Sequence, residues 1–268
     1  VMPVSLKKYL ENPRIVITPL IAEEMVIGIF MVQSKNLTKD DIPTITAFAN
    51  QLAAAWAKAR LTVKLQQTMN GIIQTIALIV EMRDPYTAGH QKRVGDLAAA
   101  IAAEMKLSRE RVEGVRIAGI IHDLGKIAVP AEILSKPGKL SVIEYNLVKM
   151  HAQVGFDMLK GIEFPWPLAQ VVFQHHERMD GSGYPQELKE KDIILEARII
   201  AVADVVEAMS SHRPYRPALG FSYAKEEILK NKGVLNDPEV VDACINVFEL
   251  GYKLLEEPHS QVFEFSGM

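Results

Sequence analysis

Between Pro43 and the Asp84-Pro85 pair the chain carries no strong helix breaker. Gly71 is the only soft point, so one long helix or two abutting helices cover roughly 43–83. Thr38 or Asp40/Asp41 supplies the cap, and Pro43 sits in the first turn. Ile45, Phe48, Leu52, Ala55 and Ala59 recur at three- and four-residue spacing, which predicts an apolar stripe. Ahead of this helix, "RIVITPLIAEEMVIGIFMVQ" (14–33) reads as two strands rich in β-branched residues around a polar Ala-Glu-Glu turn. Behind it nothing strand-like follows until the 180s. Gly/Pro punctuation at 137–138, 161–167, 181–185 and 214–220 divides the rest into helical segments. The chain is therefore expected to be mainly α.

Composition removes several classes of function. Hydrophobic residues make up 49% of the 268, enough for a substantial core. A formal net charge of −3 gives no bulk attraction to polymeric nucleic acid or to an anionic membrane. The single cysteine, Cys244, excludes an internal disulfide framework and a multi-cysteine metal site, and fits a reducing cytoplasm. The oiliest run, "GIIQTIALIV" (71–80), is too short to span a bilayer and is broken by Gln74 and Thr75. No secretory signal opens the chain. It begins with Val and runs almost directly into strand-like sequence, so a further upstream part is expected and the cytoplasmic assignment is provisional.

Polar residues stand where apolar ones belong. His90 shares an inward stripe with Val94, Leu97 and Ile101, and His151 one with Leu147, Val154 and Met158. Asp204 lies in "ARIIAVADVVEAM", where an unpaired buried carboxylate would cost several kcal/mol and so needs a cation. His122-Asp123 follows "IAGII", and His175-His176 follows "LAQVVFQ". Any one of these alone would be an ordinary hydrogen-bonded core residue. Together, seven His/Asp on five helical segments exceed the needs of one metal. Adjacent helical residues diverge by about 100°, so His122 and Asp123 can straddle a site with the carboxylate bridging two ions. An all-His/Asp set without Cys suits iron, manganese or zinc. A two-metal centre generates hydroxide near neutral pH and clamps an in-line displacement at phosphorus. The residues thus favour a metal-dependent phosphohydrolase.

"HDLGK" (122–126) together with "HHERMDGSGYP" (175–185) resembles the HD-GYP family, a branch of the HD phosphohydrolases. "DPYTAGHQKRV" (84–94), "IHDLGKIAVPAEILSKPGKL" (121–140), "ARIIAVADVVEAM" (197–209), "RPYRPAL" (213–219) and "NDPEVVDA" (236–243) agree, so the likeness covers about 70–250. It implies an all-helical domain that hydrolyses cyclic di-GMP to pGpG and/or GMP with a bi- or trinuclear centre of iron or manganese. Carried over by position, the implied metal ligands are His90, His122, Asp123, His151, His175, His176 and Asp204. Asp123 and Lys126 are the implied catalytic residues, with the Lys126 ammonium neutralising a phosphate. Lys126, Arg213, Arg216, Gly183, Tyr184 and Pro185 are the implied substrate contacts; either arginine can instead brace its own loop through an ion pair. Gly181 and Gly183 would turn the chain tightly where side chains would obstruct substrate. Glu177 and Asp180 could orient ligand imidazoles or cap the turn. The same loop is implicated, in the family, in contacts with GGDEF-type cyclases.

The sequence departs from the family in few places. His212 stands where Asp is common, and "GVLNDP" replaces a commoner Gly-Thr-Gln-Phe-like run. Tyr86 lies where trinuclear members carry an acidic ligand, which favours two divalent ions over three. The first 60 residues resemble the C-terminal half of a GAF sensor domain, through the hairpin "MVIGIFMVQS" and the closing helix "LAAAWAKARL". The expected organisation is a partial GAF-like α/β segment (1–60), a connecting helix (61–83) and the catalytic domain (84–268). Other readings are a phosphodiesterase for cyclic GMP-AMP or a catalytically silent cyclic di-GMP receptor or docking module. The 43–83 helix either pairs in a parallel homodimer or packs on its own chain.

Overall fold

The computed structural model describes residues 14–84, 89–211 and 220–254. It divides into two units, Val1–Gly71 and Ile72–Met268. In the first, β1 (Ile15–Ala22) and β2 (Met25–Gln33) pair antiparallel with Ile15 opposite Gln33 and Ile17 opposite Met31. Glu23 and Glu24 connect them, both at positive φ, the mirror-image turn that matches the twist of a hairpin. The Asp41 carboxylate accepts from the backbone N–H of Thr38 at 2.7 Å and from its hydroxyl at 2.9 Å. The next element, α1 (Ile42–Arg83), is one continuous helix. A Cβ at Gly71 would meet nothing within 4 Å, so no packing demand interrupts it there.

The covered stripe at the start of α1 differs from the expected one. Ile45, Ala49 and Ala53 are buried, whereas Phe48 and Leu52 are 57% and 42% exposed. The Phe48 ring lies 5.6 Å from that of Phe30. A two-stranded hairpin is too narrow to cover a wider stripe.

Beyond the end of α1, the second unit comprises α2 (His90–Glu104), α3 (Arg109–Ile121), a 3-10 turn at Leu124–Ala128, α4 (Ala131–Leu134), α5 (Val142–Leu159), α6 (Leu168–Gln174), α7 (Leu195–Ser210), α8 (Phe221–Lys230) and α9 (Pro238–Glu249). Among the described residues the only named strands are β1 and β2, so the chain is mainly α. The strand-like signal in the 180s is a single antiparallel bridge between Asp180 and Lys189. Leu97, Ile101, Ile117, Ile199 and Ile200 are fully buried where α2, α3 and α7 meet. The His90–Val94–Leu97–Ile101 stripe is buried throughout. On α5 the stripe is rotated from the expected one. His151, Ala152, Gly155 and Leu159 are buried, while Leu147 and Met158 face outward. No helix among the described residues is long and apolar enough to cross a membrane.

Candidate metal centre

Three glycines set the helix spacing that builds the site. Where α2 crosses α3, a Cβ on Gly119 would lie 2.6 Å from the Cα of Gly95, and one on Gly95 would lie 2.7 Å from the Arg116 carbonyl. That close crossing brings the start of α2 to the end of α3, and the rings of His90 and His122 lie 5.5 Å apart. Gly125 does the same for α5. A Cβ there would meet the His151 carbonyl oxygen at 1.9 Å and the Gly155 nitrogen at 2.6 Å. The 3-10 turn therefore seats directly on α5 and draws His151 over Asp123. His175 and His176 follow at the end of α6, and Asp204 projects from the middle of α7.

The seven expected ligands come together as two groups. Asp123, His151, His175 and His176 form one; His90, His122 and Asp204 form the other. Within each, candidate donor atoms lie inside 4.8 Å of one another. Asp123 reaches both. Its Oδ1 is 3.4 Å from His151 Nε2, and its Oδ2 is 3.3 Å from His122 Nε2 and 4.0 Å from His90 Nε2. Asp204 Oδ1 is 3.4 Å from His90 Nε2 and 4.0 Å from His122 Nε2.

Backbone carbonyls fix the tautomers. Nδ1 of His122, His151 and His175 each lies 2.7 Å from the carbonyl three residues earlier, those of Gly119, Val148 and Val172. A carbonyl only accepts, so each Nδ1 carries a proton and each ring turns its Nε2 inward; for His151 and His175, which burial keeps neutral, that nitrogen is bare. His151 Nε2 and His175 Nε2 then face each other at 3.2 Å. Two lone pairs at that distance can be shared by one cation. The donors are imidazole nitrogen and carboxylate oxygen without sulfur, a set that fits divalent first-row ions.

Electrostatics agree with that sharing. Burial holds the His175 imidazole well below its usual range and lowers His151 and His176, the last to about 3, so these rings stay neutral and available as ligands. Burial alone would raise Asp123 and Asp204. The Lys126 ammonium and His122 for the first, and His90 and His122 for the second, outweigh it and keep both carboxylates ionised. Burial opposes the charge on Lys126 too, but Asp123 at 2.6 Å and Asp84 at 3.9 Å keep it protonated.

Two carboxylates escaped the sequence reading. Glu207 lies one turn beyond Asp204 on α7 and is 1% exposed. It hydrogen-bonds His90 Nδ1 and accepts from Arg93 Nε at 2.7 Å and from the Ser211 hydroxyl at 2.6 Å. Burial would raise it, but His90 draws it down to about 2. Glu207 thus aims the His90 Nε2 into the site, the arrangement by which a carboxylate orients a metal-binding imidazole. His90, in turn, resists burial through Asp204 and Glu207 and rises to about 9. Glu81 accepts from the backbone N–H groups of Gly89 and Gln91, an acid at the N-terminus of α2. A three-residue step from Asp204 was the available signal for Glu207; nothing marked Glu81.

The Gly-Tyr-Pro loop closes on its own backbone. A Cβ on Gly183 would lie 2.5 Å from the Arg178 nitrogen, the Glu177 Cα and the His176 carbonyl. The glycine is thus required for contact with 176–178, a different reason from the substrate clearance expected of it. Gly181 holds φ +84°. Glu177 accepts from the backbone of Gln186 at 2.7 Å and Leu188 at 3.0 Å, and Asp180 from Ser182 at 2.9 Å, so both brace the loop. The Tyr184–Pro185 bond is cis. The Tyr184 ring stacks on His176, with centroids 4.7 Å apart and planes at 29°. Burial pushes its hydroxyl up, so it stays a phenol. Arg213, Arg216, Tyr86 and His212 lie outside the described residues.

A family model for the HD domain matches residues 74–240. The chain is 41% identical over 175 residues to the cyclic di-GMP phosphodiesterase response regulator RpfG of Xanthomonas campestris, covering 65% of this chain and 46% of that protein. It is 40% identical over 178 residues to a cyclic di-GMP phosphodiesterase of Thermotoga maritima, covering 66% and 48%. It is 35% identical over 191 residues to 3'3'-cGAMP-specific phosphodiesterase 3 of Vibrio cholerae, covering 71% and 41%. The chain spans about half the length of the curated relatives it matches. With its family model covering more than half of the residues and its paired His/Asp groups joined at His122-Asp123, the chain belongs to the HD-domain family.

Proposed function

We propose that this chain is an HD-GYP phosphodiesterase that hydrolyses cyclic di-GMP to pGpG and/or GMP, using two divalent ions, iron or manganese. The observation that carries the reading is the pair of His/Asp groups sharing Asp123, with bare imidazole nitrogens 3.2 Å apart. Two of the relatives named above are cyclic di-GMP phosphodiesterases, which favours that substrate over cyclic GMP-AMP. The complete ligand set argues against a silent receptor.

His90, His122 and Asp204 would hold one ion and His151, His175 and His176 the other, with Asp123 shared. Bound ions would activate water and stabilise charge on phosphate oxygens. The chain's own contributions are distinct. Backbone carbonyls keep the imidazoles in the ligating tautomer. Lys126, charged and buried beside Asp123, offsets negative charge developing on the phosphoryl group. Arg213 and Arg216 are proposed phosphate contacts. The loop 181–185 lies against the His151/His176 group and supplies Tyr184 beside the substrate.

Residues 1–60 are proposed as the end of a GAF-like sensor segment in a cytoplasmic protein, the hairpin and helix supporting that resemblance. A parallel homodimer through α1 is supported by a seven-residue repeat. Leu65, Ile72 and Ile79 recur at one position, Leu61, Thr68, Thr75 and Met82 at the other, and the apolar ones are 45–82% exposed.

Product analysis tests the function. Metal-loaded protein is incubated with cyclic di-GMP and cyclic GMP-AMP, and products are separated by chromatography. Cyclic di-GMP should be cleaved faster. Asp123→Ala should lose both metal and hydrolysis, whereas Lys126→Ala should keep the metals and lose most activity. A full metal complement with wild-type turnover in Asp123→Ala refutes the assignment.

A further inference from the structure

A groove of about 470 Å³ opens beside the Gly-Tyr-Pro loop, within the ~300–1,000 Å³ range of small-molecule clefts. One wall is Ser182–Pro185 with the Tyr184 ring. The other is the outward side of α5, two to six residues ahead of His151, with Tyr145, Asn146 and Lys149. The Lys149 ammonium lies 5.2 Å from the centre of the Tyr145 ring and 5.7 Å from that of Tyr184, so one cation serves two aromatic faces. Tyr184 in turn stacks on His176, and its ring lies 6.4 Å from that of His151. Tyr184 thus stands between the groove and the group formed by Asp123, His151, His175 and His176. Nothing in the proposed chemistry uses Tyr145 or Lys149, and Tyr145 remains half exposed.

These groups share one complementary ligand class. A flat ring stacks on a tyrosine face. A cation beside that ring suits a purine oxygen or nitrogen, or the phosphate attached to it. The Asn146 side-chain amide offers a donor and an acceptor to a base edge. A cyclic dinucleotide carries a purine on each side of every phosphate. With one phosphate at the His/Asp groups, a base is carried toward the neighbouring walls. We propose that this groove receives one purine base of the substrate, with Tyr145 as its stacking platform and Lys149 as the cation between base and phosphate. The inference rests on the cyclic-dinucleotide reading above and extends it to residues outside the HD and Gly-Tyr-Pro motifs.

The test compares two substrates on the intact metal-loaded chain. One is cyclic di-GMP; the other is methyl p-nitrophenyl phosphate, whose non-leaving side has no ring. Tyr145→Ala should raise KM for cyclic di-GMP roughly tenfold, in keeping with the loss of one base–aromatic stack, with kcat little changed. Tyr145→Phe keeps the ring and should restore the wild-type KM. Lys149→Met should raise the same KM several-fold. Hydrolysis of the small ester should stay within about twofold of wild type in all three, because the metal groups are untouched. Tyr145→Ala with an unchanged KM for cyclic di-GMP overturns the groove assignment, as does an equal loss on both substrates. Wild-type protein that cleaves the small ester but not the cyclic dinucleotide refutes the underlying functional reading instead.

Discussion

Gly125→Ala tests whether the close approach of the 3-10 turn to α5 is what assembles half of the centre. The added Cβ would lie 1.9 Å from the His151 carbonyl oxygen, and Cβ contacts below 3.0 Å force something to shift. The difference, 1.1 Å, is the least displacement the contact demands. The obstructing atoms are backbone, so no side chain can rotate away. Either α5 retreats with His151, or the turn retreats with Asp123. His151 Nε2 is 3.4 Å from Asp123 Oδ1, and metal-ligand distances tolerate only about ±0.2 Å. The ion held by Asp123, His151, His175 and His176 should therefore be lost or bound far more weakly. The group of His90, His122 and Asp204 keeps three ligands of its own and should be weakened less. Overpacking of this kind costs about 1–3 kcal/mol, roughly 2–10 °C in Tm for a unit of this size. The assay is metal content per chain after loading and desalting, beside thermal unfolding and hydrolysis of cyclic di-GMP. About half the metal, a modestly lower Tm and little activity are expected. A full metal complement with undiminished turnover would show that the glycine contact does not set the ligand geometry. Gly155→Ala is the useful companion, since its Cβ first meets the Val172 side chain at 2.6 Å and the Gly125 nitrogen only at 3.3 Å. Its loss should be smaller.

Glu207→Gln keeps the side-chain shape but removes the charge that orients His90; metal affinity should fall about 10–100-fold, read by competition with a chelator, and unchanged affinity would remove Glu207 from the site. Cys244 is buried, and burial pushes its thiol up to about 12, so it should resist an aromatic disulfide reagent at pH 8 until the protein unfolds; rapid labelling of native protein would contradict this. Glu144 accepts from Lys136 and from the Ser141 backbone, which draw its carboxyl from 4.5 down to about 2. A depressed folded pKa contributes stability above the unfolded pKa and loses it as pH falls toward the folded one. The Tm difference between wild type and Glu144→Gln should thus be full above pH 4.5 and shrink toward pH 2; a constant difference would refute the ionic origin. Sedimentation should give a dimer at tens of micromolar for the chain and a monomer for Ile72→Lys/Ile79→Lys, and a wild-type monomer would remove the α1 pairing.

The grouping of these His and Asp residues was legible because they violate the pattern around them. His90 shares its buried stripe with Val94, Leu97 and Ile101, and Asp204 sits within a largely apolar helix, and a buried carboxylate or imidazole at such a position needs a partner. The pattern cannot say which carboxylate becomes a ligand and which supports one. Glu207 shares α7 with Asp204 and is more deeply buried, yet it engages His90 Nδ1 while Asp204 lies toward Nε2. Spacing gives both the same face. Only the position of α2, set by the Gly95–Gly119 crossing, separates their roles.

The errors have one common source. Phe48 and Leu52 on α1, and Leu147 and Met158 on α5, carry the right apolar spacing but lie outside the covered stripe. Periodicity reports that a helix has an apolar face; it does not report which neighbour is close enough to bury it. Both corrections move the buried stripe toward small residues, Ala49 and Ala53 on α1, Ala152 and Gly155 on α5. Close packing selects the side where backbones can approach, and large apolar side chains on the adjoining face are left for another surface or for solvent. On α5, Tyr145 lies about 160° around the helix from Leu147 and lines the groove, so the side left open there is a separate one, available to a planar ligand.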